Sequence, residues 1–181
     1  AIATPITTYT QQSPLFYKKI PDFCARFPPP KPQNTLAPMQ QLIECVPNFS
    51  EGRDPVLLKQ ITDAIESVEG VKLLDVDPGK ATNRTVVTFV GPPAAVVEAA
   101  FLAIQKACDL IDMRQHTGEH PRMGATDVCP LIPIANISME ETAEWARRLG
   151  ERVGRELDLP VYLYEAAAAR PERQNLASIR A

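Results

Sequence analysis

The order of apolar periods between Leu42 and Ile134 constrains this chain more than any other feature. Leu42–Val46 is a short apolar run closed by Pro47-Asn48, a strand with a stop. Asp54-Pro55 then reads as an N-cap followed by proline at the first helical position. Leu57, Ile61, Ala64, Ile65 and Val68 fall on one helical face, and Gly70 follows as its stop. Val71–Asp77 is a second strand, interrupted by Pro78-Gly79, and Arg84–Val90 alternates in β-branched and aromatic residues as a third. Val97, Phe101, Ile104, Cys108 and Ile111 mark a second helix. Thr126–Ile134 is a fourth extended segment, in which Pro130 and Pro133 predict an edge position or a broken strand. The resulting β-α-β-β-α-β order is that of a ferredoxin-like α+β sandwich. Ser138 with Glu141 predicts a capping box for a third helix reaching about Leu157, in which Gly150 and Gly154 allow close packing on a sheet. Val161–Tyr164 reads as an added last strand. Two helices protect one sheet face, so the other must be solvated or covered by something else.

The first 38 residues differ in kind. They hold 8 of the 18 prolines and none of the 8 glycines, and Pro28-Pro29-Pro30-Lys31-Pro32 can continue neither a helix nor an interior strand. Residues 1–38 are expected to be a disordered or extended tail, with no secretory signal pattern and only a weak transit-peptide character. Residues 39–181 are expected to form one domain, with Met39 as its functional start. The net charge of −3 gives no global argument for nucleic acid, and no apolar run approaches the roughly 20 residues of a membrane span. The four cysteines have no paired spacing. Cys108 and Cys129 are expected as buried thiols, which fits a reducing, cytoplasmic setting.

The two histidines, His116 and His120, share a polar loop with Arg114, Gln115, Thr117, Glu119, Arg122 and Asp127. Their spacing would suit zinc on a helix, but Gly118 and Pro121 oppose a helix and no cysteine lies near to complete a site, so no metal is expected. Gly118, Pro121 and Gly124 describe a loop that holds a side chain in place, and imidazole suits proton transfer near neutrality. His120 is therefore the best catalytic candidate. Glu119 stands where it could orient the ring or remain a solvated charge. Asp77 ends its strand beside a turn; Thr82-Asn83-Arg84-Thr85 offers an Arg fork and amide donors for an anionic ligand, or a polar hairpin. Val46–Gly52, with Asn48, is a tight loop that approaches a ligand or caps the first helix. Cys129, between Val128 and Pro130, is a poor nucleophile candidate. There is no phosphate-binding glycine loop and no nucleophile elbow.

Several ordered motifs resemble one family. Glu44-Cys45-Val46-Pro47-Asn48-Phe49-Ser50-Glu51-Gly52 is similar to the opening strand and loop of glutamate formiminotransferases. Leu74-Asp75-Val76-Asp77, Thr82-Asn83-Arg84-Thr85 and Thr88-Phe89-Val90-Gly91-Pro92-Pro93 resemble the next two strands. Gly118-Glu119-His120-Pro121-Arg122-Met123-Gly124 resembles the active-site loop, and the likeness runs from about Met39 to the last residue. It implies transfer of a formimino group from N-formimino-L-glutamate to tetrahydrofolate, in histidine degradation and one-carbon metabolism. It implies His120 as the catalytic base and Asp77, Arg84, Arg122, Glu119, His116 and Asn48 as substrate-binding residues. It also implies a homodimer, and two ferredoxin-like subdomains with the substrates between them. Only the amino-terminal subdomain is matched, so the 181 residues are expected to be incompetent without a second. The alternatives are an inactive folate-binding or interaction module, and formyl rather than formimino transfer.

Overall fold

The computed structural model describes residues 39–180. The expectation for residues 1–38 lies outside the described residues, as does Cys24. The described part is a mixed α/β structure built on an antiparallel sheet with four helices. The elements in order are β1 (Leu42–Cys45), β2 (Asn48–Phe49), α1 (Pro55–Glu66), β3 (Lys72–Gly79), β4 (Arg84–Gly91) and α2 (Pro93–Leu110). There follow β5 (Thr126–Val128), β6 (Leu131–Ala135), α3 (Met139–Leu157), two single 3₁₀ turns (Glu165–Ala167 and Pro171–Arg173) and α4 (Leu176–Arg180).

β1 and β2 form one run broken at Pro47, and β5 and β6 form another broken at Pro130. The breaks lie side by side: Val46 N donates to the Pro130 carbonyl at 3.1 Å, and Val87 N donates to the Pro47 carbonyl at 3.0 Å. Proline has no N–H for a ladder, so the neighbouring run supplies the donor where each run bends. β4 takes β3 along one side and the β1–β2 run along the other; the β5–β6 run pairs with β1 and β2 on their far side. β3 and the β5–β6 run are therefore the two margins.

The helices start where the sequence places them. Asp54 caps α1 by accepting from Val56 and Leu57 N–H, and Ser138 and Glu141 form the reciprocal capping box of α3. On β4 the alternation is strict. Thr85, Val87 and Phe89 are buried against the helices, while Arg84, Val86, Thr88 and Val90 lie half-buried on the opposite face. The core gathers Ile43, Cys45, Phe49, Val87 and Phe89 from the sheet, Ile61 and Ile65 from α1, and Val96, Ala99, Ala100 and Ala103 from α2. The alanines of α2 bring its backbone close to the sheet, and each large aliphatic or aromatic side chain buried there contributes about 1.5–3 kcal/mol.

Four expectations are corrected. Val161–Tyr164 is extended but joins no ladder, so the added strand is absent; it lies against α3. Gly150 accordingly packs on that segment and not on a sheet, since a methyl there would lie 3.1 Å from Leu163 and 3.2 Å from Val161 side-chain carbons. Cys108 is exposed, because α2 turns Ala107, not Cys108, toward the core, and Cys129, at the break between β5 and β6, is only half-buried. Asn48–Phe49, read as loop, is a short strand paired on both sides.

Candidate functional site

The site grows from the turn between β3 and β4. Asn83 adopts a left-handed conformation there, with φ 48°, which Asn tolerates better than most residues. Its buried side chain joins three segments. Oδ1 accepts from Gly52 N–H at 2.9 Å, and Nδ2 donates to the Thr117 carbonyl at 3.0 Å and lies 3.3 Å from His116 Nδ1. The next residue, Arg84, starts β4 on the face away from the helices.

Arg84 Nη1 lies 2.8 Å from both ring nitrogens of His120. His120 Nδ1 is 2.6 Å from the Pro121 carbonyl oxygen, which can only accept. Nδ1 is therefore the donor to that carbonyl, and the guanidinium, equidistant from both nitrogens, lies against the ring and singles out neither. Arg84 Nη2 lies 3.1 Å from Asp127 Oδ2, in an ion pair whose carboxylate is fully excluded from solvent. Burial holds the Arg84 guanidinium below its usual range. Arg180 and Arg122 act in the same sense, and the Asp127 carboxylate opposes them.

The loop carrying His120 has no ladder of its own, and Arg122 ties it down. Its Nε donates to the His120 carbonyl at 2.9 Å, Nη1 to the Asn83 carbonyl at 3.0 Å and Nη2 to the Thr82 carbonyl at 2.8 Å. Gly118 is required where the loop crosses the turn: a methyl there would lie 2.2 Å from the Thr82 carbonyl oxygen. Met123 N–H donates to Asp127 Oδ1 at 3.1 Å.

Strand register collects the other candidates. Asp77, Val86, Asn48 and Val128 form one row across the sheet, and Arg84 stands in the next row of the same face. Asp77, Asn48, Arg84 and His120 therefore meet on the uncovered face at one end of the sheet. Asn48 donates its Nδ2 to the Val46 carbonyl at 3.1 Å. Glu119 is exposed and makes no hydrogen bond or ion pair among the described residues. His116 faces elsewhere, into a polar cleft of about 240 Å³ with Glu51, Arg53 and Asp112. Burial, and then the Arg122 charge, push its imidazole below the ordinary value. Arg122, expected to bind substrate carboxylate, is turned to backbone carbonyls. The sequence placed Asn83 only in a segment of amide donors or a polar hairpin and Asp127 only among the polar groups of the loop, and it gave Arg180 no role. An Asn beside a predicted turn was a usable signal for the first; nothing in the spacing points to the pairing of residues 127 and 180.

A cavity of about 600 Å³ lies between α3, the β5–β6 run and the 159–167 segment. It is mostly apolar, and its lining does not include His120. Cys45 and Cys129 stand at 3.5 Å between sulfurs in its neighbourhood, as free thiols. Among the described residues no group of three or more His, Cys, Asp or Glu is placed to hold a metal, and no helix is long and apolar enough to cross a membrane.

Residues 42–181 match the family model described as the formiminotransferase domain, N-terminal subdomain. The chain is 56% identical over 143 residues to a formimidoyltransferase-cyclodeaminase of Rattus norvegicus, covering 79% of this chain and 26% of that protein. It is 54% identical over 139 residues to a glutamate formimidoyltransferase of Thermoplasma acidophilum, covering 77% of this chain and 46% of that protein. A Streptococcus pyogenes glutamate formimidoyltransferase is 47% identical over 142 residues, which cover 78% of this chain and 48% of that protein. The chain thus spans about a quarter of the length of the bifunctional relatives and about half of the monofunctional ones.

Proposed function

The chain belongs to the formiminotransferase N-terminal subdomain family, and from that premise we propose that it supplies the catalytic wall for transfer of a formimino group from N-formimino-L-glutamate to tetrahydrofolate. The observation that carries this reading is the convergence of Asp77, Asn48, Arg84 and His120 on the sheet face that no helix covers among the described residues. The strand order, with the β1–β2 run between the β5–β6 run and β4, and β3 outermost, supports a ferredoxin-like arrangement.

In the reaction, folate N5 attacks the formimino carbon, a C–N bond forms, and N5 loses its proton. The His120 imidazole accepts that proton. The bond from the carbon to the glutamate nitrogen then breaks, and the imidazolium returns the proton to that nitrogen. The products are 5-formiminotetrahydrofolate and glutamate. Asp77 offers its carboxylate to the amidine-like group, which gains positive charge as it is polarised. Arg84, engaged through Nη1 at the ring and Nη2 at Asp127, offers a substrate carboxylate its positive charge and not a free fork. Arg122 and Asn83 hold the loop, and Asn48 holds the opening turn. Tetrahydrofolate is a co-substrate here, not a resident cofactor.

An uncovered face carrying half-buried Val86, Thr88 and Val90, with Ile132 and Ile134 exposed at 38% and 53%, supports a second wall supplied by another subdomain or subunit. The matched relatives extend well beyond the shared span. Free thiols at 3.5 Å support a reducing compartment such as the cytoplasm.

The test is turnover of formiminoglutamate with tetrahydrofolate by the full-length protein and its His120→Ala variant. The variant should lose roughly 10²–10⁴-fold in turnover with its fold intact. Equal turnover would end the assignment. A wild-type protein that binds tetrahydrofolate without turnover would be a folate-binding module instead.

A further inference from the structure

The geometry points to Asp127 and Arg180 as positioning residues for His120, acting through Arg84, so that the short helix α4 helps set the ring used in catalysis. The inference rests on the reading of His120 as the general base.

Asp127 has no exposed side-chain surface, and each of its oxygens has a distinct task. Oδ1 accepts from Met123 N–H at 3.1 Å and so anchors the loop that carries His120. Oδ2 lies 3.1 Å from Arg84 Nη2 and 2.6 Å from Arg180 Nη2. One carboxylate therefore fixes both the loop under the imidazole and the guanidinium against it. The Arg84 fork is divided between the two, with Nη2 on Asp127 and Nη1 on the ring; its buried Nε has no partner.

A merely structural ion pair would not need this arrangement. Two guanidinium groups on a single carboxylate oxygen repel each other, and replacing buried ion pairs by apolar groups often costs nothing in stability. Positioning accounts for the second cation. With Arg180 present, Oδ2 is shared, and Arg84 stays divided between carboxylate and imidazole. Without it, Asp127 has a single cationic partner, the attraction on Arg84 rises, and Nη1 is drawn from the ring toward the carboxylate. The ring then loses the guanidinium contact that holds it in one orientation. Arg180 lies in α4, some sixty residues from His120 in sequence, and is bonded to the site through Asp127.

The experiment compares wild type, Arg180→Gln, Arg180→Lys and Asp127→Asn in the full-length protein. It uses steady-state kinetics and ¹⁵N spectra of the imidazoles, with His116→Gln to assign the His120 signals. Arg180→Gln and Asp127→Asn should each lower kcat roughly 10–100-fold, the scale expected when a reacting group is displaced by about 1 Å. KM should stay within about twofold. His120 should change from the single Nδ1–H form to a mixture of tautomers. Arg180→Lys, which keeps the charge, should recover most of both. If Arg180→Gln fails to fold, Asp127→Asn decides in its place. Wild-type kcat and an unchanged tautomer pattern in the folded variants overturn the inference. So does a fall in kcat that leaves the tautomer unchanged and that Arg180→Lys does not repair. If the wild type transfers no formimino group, the reading of the function fails, while the tautomer pattern still decides the positioning role.

Discussion

The covered face of the sheet and the loop from Asp112 to Ala125 are held by different physics. The covered face is apolar and close-packed: Phe89, Val87 and Ile43 are almost wholly removed from water against two helices. Its stability comes from area and grows with every methylene. The loop packs little apolar surface beyond Met113 and Ala125. Polar side chains hold it: Asn83, Arg122, Asp127 and Ser50 reach its backbone through hydrogen bonds at 2.5–3.1 Å. Directional bonds fix an angle better than apolar contact does, which is what a proton-transferring ring needs. The comparison teaches that stability and alignment are carried by separate residues and should fail separately.

Phe89→Ala attacks the covered face and should have the largest effect, about 3–5 kcal/mol of unfolding free energy by denaturant titration. Per active molecule, turnover should change little. A matching loss of turnover in the folded fraction would join the two regions. Arg122→Ala attacks the loop. It strips partners from the Thr82, Asn83 and His120 carbonyls and should cost about 1–3 kcal/mol, with turnover falling more than stability implies. A variant that lost stability alone would show that Asp127 and Asn83 suffice to hold the ring. Arg122→Lys should not rescue, because an ammonium cannot span three carbonyls in one plane.

The smallest effect expected is a slope. His116 is held below its ordinary value of 6.5 by burial and by Arg122, against the opposing Glu51 charge. The unfolded chain therefore takes up this proton first as the pH falls. The contribution of the neutral ring is complete above about pH 6.5 and is lost as the pH drops through the lowered folded value. His116→Gln should flatten this part of the stability curve between about pH 7 and 5, read by urea midpoints. An identical slope in the variant would place His116 outside the loop's packing.

Much of the fold was legible because local rules and packing agree. Asp54-Pro55, the Ser138–Glu141 box and the alternation along Arg84–Val90 each act within a few residues. Pro130 gave the break between β5 and β6 for the same reason. Val161–Tyr164 misled because its β-branched and aromatic residues suit a pleated surface, yet nothing in a propensity says whether a ladder partner is present. Cys108 misled through a helix-face assignment one residue out of phase. At the site, a held loop around residue 120 was legible from Gly118 and Pro121. The roles of Arg122 and Asp127 were not, since a charged residue in a polar loop reads alike whether it faces ligand or backbone. Only tertiary pairing with Thr82 and Arg180 separates the two.

The side-by-side proline breaks bear on solubility. A sheet margin with free N–H and C=O groups invites another chain to add as a strand, and β-rich segments carrying Ile132 and Ile134 would be natural nuclei for aggregation. Pro130 and Pro133 remove donors from that margin. The opposite margin, β3, carries Lys72, Asp75, Asp77 and Pro78 along a strand kinked at Leu74. Both margins therefore resist fibre growth by backbone pairing, and the apolar side chains can stay exposed without seeding it.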